Sequence, residues 1–253
     1  MLKTASLASG SSGNSYFVKN EEGLFIFDLG ISVKRLRSSL ESFSLNISEL
    51  EAVFISHEHS DHISGLKTFV KRYPHIPVFI SSKTYQKIKI KAPSFVFFEP
   101  GQTLYFKNFE IEFLRKPHDA VEPVFFKMKM DDGIVSIITD FGYPNDEIVK
   151  SISESRVLYL EANYDLRMLE SGSYPRMLKE RIKSKEGHLS NCQAANLLKS
   201  HYSEKLDYLI LSHISEKNNT YDIAKNSIEK ILGKKNFSLF VAKQKTPTPL
   251  IEI

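Results

Sequence analysis

Short apolar runs punctuated by turn residues recur along the chain. Residues 15–18, 24–28, 52–56, 78–81, 95–98, 111–114, 124–130 and 134–139 are rich in Val, Ile and Phe and bounded by Gly, Pro, Asn or Asp. That pattern predicts strands, and it returns at 157–160, 206–211 and 239–242. Asp131-Asp132-Gly133 has the residues of a hairpin turn between two of them. Helical periodicity marks 32–42, 63–72, 83–90, 145–153, 176–184, 191–202 and 221–232. Ser32, Asp61 and Ser190 stand where helix-capping residues belong. Pro144, Pro175 and Thr246-Pro247-Thr248-Pro249 mark breaks, and no short-period repeat is visible. Strands and helices in both halves predict an α/β protein of two mixed sheets, packed together and covered by helices. Residues 1–253 then form one domain.

Composition narrows the setting. The 253 residues are 42% apolar and 25% charged, an ordinary globular balance. The excess of +4 neither demands nor hinders a nucleic-acid partner. A lone cysteine, Cys192, excludes an internal disulfide and suits a reducing compartment. The start shows no apolar core of a signal peptide. No run approaches the roughly 18 apolar residues that cross a bilayer. A cytoplasmic protein with no membrane role is expected.

The densest chemistry is His57-Glu58-His59-Ser60-Asp61-His62, directly after the buried run 52–56. On an extended segment, residues two apart point the same way, so His57 and His59 can share one metal. Where the chain turns into a helix, Asp61 and His62 emerge in another direction and can serve a second. Imidazole with carboxylate suits Zn²⁺, and also Mn²⁺ or Fe. Two cations about 3.5–4 Å apart stabilise a displacement at phosphorus or carbon. A polar strand-to-helix loop is the blander explanation of the same residues.

This segment resembles the signature of the metallo-β-lactamase superfamily, His-x-His-x-Asp-His, on a four-layer αβ/βα sandwich. Other landmarks follow in order. The resemblance implies that Asp28 is an orienting residue behind the site. It also implies that His118 completes the first metal site, Asp140 bridges the metals and His213 completes the second. Singly, Asp28 and Asp140 read as a cap and a turn residue, and His118 as a loop histidine. Flanking segments resemble the YycJ-like (VicX/WalJ) family: Ser9-Gly10-Ser11-Ser12-Gly13-Asn14-Ser15, Glu161-Ala162-Asn163-Tyr164-Asp165, Gly187-His188-Leu189-Ser190-Asn191 and Ser212-His213-Ile214-Ser215-Glu216. Glu161 and Tyr164 depart slightly from that family's pattern, at no cost to the ligand set. His188 stands where related transfer-RNA 3′-processing nucleases place a proton donor, so it reads as a general acid, a phosphate contact or a backbone-bonded loop histidine. Residues 9–15 read as a tight hairpin near the site. His75 and His201 read as surface residues.

The functional expectation is a hydrolase with two divalent metal ions, Zn or Mn, with Fe as a further candidate. Asp61 and His188 are its catalytic candidates. The family resemblance implies a phosphodiesterase on DNA with 5′-to-3′ exonuclease action. Basic stretches support it modestly: Lys83, Lys87, Lys89 and Lys91, and then Arg176, Lys179, Arg181, Lys183 and Lys185. Either stretch also reads as a solvated helix face. The chain lacks the β-CASP insertion of the superfamily's ribonucleases and any flavin domain. The alternatives are a small-molecule ester or thioester hydrolase of the same fold, and a regulatory module that has kept the fold. The intact donor set argues against the second.

Overall fold

In the computed structural model, which describes residues 1–233 and 235–253, two seven-stranded sheets lie face to face. The first takes β1 (Lys3–Ala8), β2 (Ser15–Asn20), β3 (Gly23–Phe27), β4 (Leu50–Phe54), β5 (Val78–Ser81) and β6 (Phe95–Phe98) in sequence order. The second takes β7 (Thr103–Tyr105), β8 (Phe109–Arg115), β9 (Val124–Met130), β10 (Gly133–Ile138), β11 (Val157–Glu161), β12 (Tyr208–Ser212) and β13 (Ser238–Val241). The last strand, β14 (Ile251–Glu252), pairs outside β1.

Both sheets run through the same directions. β1, β2 and β3 are antiparallel, then β4, β5 and β6 continue parallel to β3. β8, β9 and β10 repeat the antiparallel part, and β11, β12 and β13 the parallel part. This repeat of topology has no counterpart in the sequence pattern.

Strands buried on both faces explain the continuous apolar runs. In β9, Val124, Phe126 and Met128 point between the sheets while Phe125 points outward to helices. Between the sheets Phe54 stacks on Phe27 and Phe79, with ring centroids 5.1 and 4.9 Å apart. The outer face of the first sheet carries α1 (Val33–Glu41), α2 (Ser60–Ile63), α3 (Leu66–Arg72) and α4 (Ser82–Lys87) in its connections, and α1 and α3 bury Leu36, Leu40, Leu66 and Phe69 there. The second sheet is covered by α5 (Asp146–Glu154), α8 (Asn191–His201) and α9 (Tyr221–Leu232) through Ile148, Leu198 and Ile228. Between α5 and α8 come α6 (Leu166–Ser171) and α7 (Arg176–Lys183), and α7 buries no residue. The result is the expected four-layer sandwich. Among the described residues, no helix is long and apolar enough to cross a membrane.

Three strands and one helix lie outside the expected set. In β1, Thr4 and Ser6 are buried polar residues bonded to Phe17, Tyr159 and Thr248, far away in the chain. β7, β14 and α6 are too short to show a period. The periodic segment 63–72 begins earlier and divides at Gly65 into α2 and α3. Asp61 therefore sits in the first turn of α2, and His59, not Asp61, holds the N-cap position. Ser32 and Ser190 cap as expected, Ser190 in a capping box with Gln193.

The segment between β4 and α3 is clamped by backbone hydrogen bonds. Asn14 N–H donates to Asp61 O at 2.8 Å, Gly30 N–H to Asn14 O at 2.9 Å, and Leu29 N–H to His62 O at 2.8 Å. A Cβ at Gly30 would lie 1.7 Å from Asp61 O and 2.5 Å from Asn14 N, both backbone atoms. Gly30→Ala should therefore lower stability by about 2–4 kcal/mol, read as a shifted urea midpoint for the metal-stripped protein. An unchanged midpoint would mean that the clamp yields freely.

Candidate metal centre

The donors collect where strands of both sheets end on one rim. Asp28 follows β3, His57–His62 follow β4, His118 follows β8, Asp140 follows β10, Glu161 ends β11 and His213 follows β12. Asp28, Asp140 and His213 leave their strands with left-handed backbone, at φ 61°, 60° and 57°. Such conformations cost of order 1–3 kcal/mol each, and here they turn three side chains toward one cleft.

Three donor groups result. His57, His59 and His118 form the first; Asp61, His62, Asp140 and His213 form the second; Asp140, Glu161, His188 and His213 form a third that shares Asp140 and His213 with it. In each, the candidate donor atoms lie within 4.8 Å of one another. His118 Nε2 is 3.2 Å from His59 Nδ1. His213 Nε2 lies 3.2 Å from Asp61 Oδ2 and 3.3 Å from Asp140 Oδ1, and His62 Nε2 is 3.3 Å from Asp140 Oδ2. The structure thus assembles all seven residues expected as ligands, with Asp140 grouped with the second set.

Four imidazoles are fixed from behind. His62 Nδ1–H donates to Asp28 Oδ2 at 2.7 Å, and Asp28 also accepts from Ser56 N–H and Oγ–H, both at 2.8 Å. With its own proton so engaged, Ser56 Oγ accepts from His57 Nδ1–H at 2.9 Å. His118 Nδ1–H donates to Glu186 O at 3.1 Å and His213 Nδ1–H to Glu161 Oε1 at 3.1 Å. Each ring is left with Nε2 facing the cleft, the arrangement that orients metal-binding histidines. Two buried atoms there, His57 Nε2 and Asp140 Oδ2, have no hydrogen-bond partner. Such orphans are costly in a folded protein unless a ligand takes them, so the residues fit cations.

The electrostatics divide the same way. Burial, with His62 and Lys116 nearby, pushes His57 well below the usual imidazole range, and burial takes His118 down to about 3. Both are neutral ligands in waiting. Burial also resists charge on His62 and His213, but carboxylates outweigh it. Asp140, Asp28 and Asp61 push His62 well up, and Asp140, Asp61 and Glu161 push His213 up to about 10.

Residues 8–145, more than half of the chain, match the Metallo-beta-lactamase superfamily. The chain belongs to that superfamily. Its donor clusters are accordingly sites for divalent metal ions. Within the superfamily it is a YycJ-like hydrolase. It is 33% identical over 265 aligned residues to exodeoxyribonuclease WalJ of Streptococcus pneumoniae, covering 100% of this chain and 98% of that protein. It is 32% identical over 238 residues to exodeoxyribonuclease YycJ of Bacillus anthracis, covering 92% and 90%. In fold it is similar to the metallo-beta-lactamase fold protein YhfI of Bacillus subtilis, with a TM-score of 0.74, 98% of both chains covered and 19% identity.

Other residues of this superfamily member complete the cleft, a cavity of about 350 Å³. His188 lines it, and its Nδ1–H donates to Glu161 Oε1 at 2.7 Å. Glu161 is fully buried, so it holds His188 and His213 with one carboxylate. Burial opposes its charge, but the two histidines keep it at about 2. In the sequence Glu161 reads as a departure that leaves the ligand set intact and can alter a local contact; an acid closing the apolar strand Val157–Glu161 is the available signal for its role. Asn14 and Asn163 were also missed: Asn14 Nδ2 donates to Asp61 Oδ2 at 3.1 Å, and Asn163 Nδ2 to His213 O at 2.8 Å. Among the two basic stretches, Arg181 reaches the cleft wall and pairs with Asp119. Lys83 instead pairs with Glu122. His75 is exposed and His201 ends α8, as expected.

A metal entering the second group must displace protons from His62 and His213, whose raised pKa values keep them charged at neutral pH. Affinity of the stripped protein for Zn²⁺ should therefore rise from about pH 6 to about pH 8. Calorimetry in buffers of different ionisation enthalpy should count about two protons released. Zero release with a pH-independent affinity would contradict the charge assignment.

Proposed function

We propose that the chain is a cytoplasmic exodeoxyribonuclease that degrades DNA from the 5′ end with two divalent metal ions. The observation that carries this reading is the end-to-end similarity to two proteins named exodeoxyribonucleases, since the donor set alone fits any hydrolase of the fold. Zinc and manganese both suit mixed imidazole and carboxylate donors, and iron does too. His57, His59 and His118 would hold one ion, and Asp61, His62 and His213 the other, with Asp140 between them. Held there, the ions supply Lewis acidity, which acidifies water and neutralises charge on a phosphodiester.

The chain's own groups supply the rest. Asp61, fixed by Asn14 Nδ2 and facing the cleft, orients the attacking water and accepts its proton. His188, with Nδ1–H bound to Glu161, presents Nε2 to the cleft. From Nε2 it protonates the departing sugar oxygen, and the Glu161 carboxylate stabilises the charged ring that precedes transfer. Asp28 and Ser56 keep the imidazoles in register.

The test is stepwise loss of nucleotides from end-labelled duplex and single-stranded DNA with Mn²⁺ or Zn²⁺. Asp61→Ala should lower the rate by about a thousandfold or more; no cleavage by the wild type would move the assignment to a small-molecule ester hydrolase. His188→Ala should cost about 10²–10⁴ in kcat on DNA. Its effect should shrink to a few-fold on a p-nitrophenyl diester, whose leaving group needs no proton. Equal losses on both substrates would remove His188 from the proton-donor role.

A further inference from the structure

The cleft over the donors continues past them. Ser215 lines both the cleft and a second groove of about 440 Å³, within the range of ligand-sized cavities. The groove's far walls are Tyr221, at the start of α9, and the segment Lys243, Gln244 and Lys245 after β13. Its floor is built rather than accidental. Gln244 is buried, accepts from Ser12 Oγ–H, and donates from Nε2 to Ile214 O at 3.4 Å. Ser12 belongs to the same 9–15 hairpin that delivers Asn14 to Asp61, so groove and metal centre share one support.

The groove and the cleft repeat one chemical pair. Lys243 Nζ lies 5.8 Å from the centroid of the Tyr221 ring in the groove. Lys217 Nζ lies 5.6 Å from that of Tyr174, which lines the cleft. Lys185 Nζ lies 5.4 Å from that of Tyr143, beside the segment that leads to His188. A fourth pair, Lys235 with Tyr202, lines neither cavity. In each pair the ammonium lies over the ring, so a base stacking on the ring would move the cation aside to its own phosphate. Lys243 and Lys245 outnumber the one acid of the groove, Glu216. Stacking on side chains requires bases that are not already stacked in a duplex, and a single strand supplies them.

We propose that this groove is a binding site for an unpaired stretch of the DNA strand being cut, with a base stacked on Tyr221 and phosphates against Lys243 and Lys245. The inference rests on the nuclease reading and deepens it. The strand runs from the metal centre past Ser215 into the groove, so only substrates of several nucleotides reach it.

The test compares kcat/KM on a dinucleotide and on a single-stranded 12-mer for the wild type, Tyr221→Ala, Tyr221→Phe and Lys243→Ala. The wild type should gain about tenfold or more in kcat/KM with the longer substrate. Tyr221→Ala should lose most of that gain through KM, and Tyr221→Phe should keep it. Lys243→Ala should reduce the salt slope of log KM by about one, which keeps the proposal testable if Tyr221→Ala misfolds. A wild type that cuts the 12-mer, with both variants matching it in length gain and salt slope, overturns the groove assignment and leaves the nuclease reading standing. A wild type that cuts a duplex but neither of these substrates overturns the groove assignment alone, and one that cuts no DNA at all overturns both.

Discussion

Two aspartates, one leaving each sheet, sit in left-handed backbone, and the centre depends on that reversal. Asp28 and Asp140 occupy equivalent exits, after the third strand of each repeated set, at φ 61° and 60°. Each is followed, two residues later, by a glycine that another segment approaches closely. At Gly30 it is Asp61 O, and at Gly142 it is Ser184 O, 2.1 Å from where a Cβ would stand. Asp140 turns its carboxylate into the cleft and Asp28 turns its own behind His62, while each glycine lets the next wall close against the turn. An aspartate tolerates this conformation better than most residues. The two copies then diverge in use. Asp28 is saturated by Ser56 and His62, whereas Asp140 keeps Oδ2 free.

Charge explains why the arrangement holds before any cation arrives. Asp28, Asp61, Asp140 and Glu161 crowd one rim, three of them almost fully buried. Buried carboxylates are tolerable only when paired. Lys116 helps, its Nζ 3.8 Å from Asp140 Oδ2 and bonded to Thr139 O at 2.7 Å. The remaining compensation comes from protons on His62 and His213, which lie between the acids. Those protons occupy the ground that cations claim.

The fold was legible wherever a local pattern carried it. The segments 78–81, 95–98 and 124–130 match β5, β6 and β9 end to end, because runs rich in Val, Ile and Phe fill those strands, interrupted in β9 only by Lys127 and Lys129. β1 was illegible because its buried Thr4 hydroxyl and the Ser6 backbone bond residues far along the chain, and no local pattern encodes that. The site divides likewise. His57 to His62 announced themselves by spacing within one loop. His118, Asp140 and His213 came only from family resemblance, since each alone reads as a turn or loop residue. Glu161, Asn14 and Asn163 act by reaching across elements; the apolar strand before Glu161 marks it, and nothing in the immediate neighbours of the two asparagines marks them. The doubled topology stayed hidden because it conserves strand direction rather than residue type.

The helix α7 stands apart from all of this. It walls the cleft through Leu178, Arg181 and Ile182, yet buries no residue, and Met177 is 86% exposed. Neither sheet depends on its side chains. Its surface can be rewritten by mutation with little loss of foldability, while the donors beneath it stay fixed by strand ends. Selection for a different strand geometry or substrate size therefore has a free variable here, adjustable independently of the chemistry.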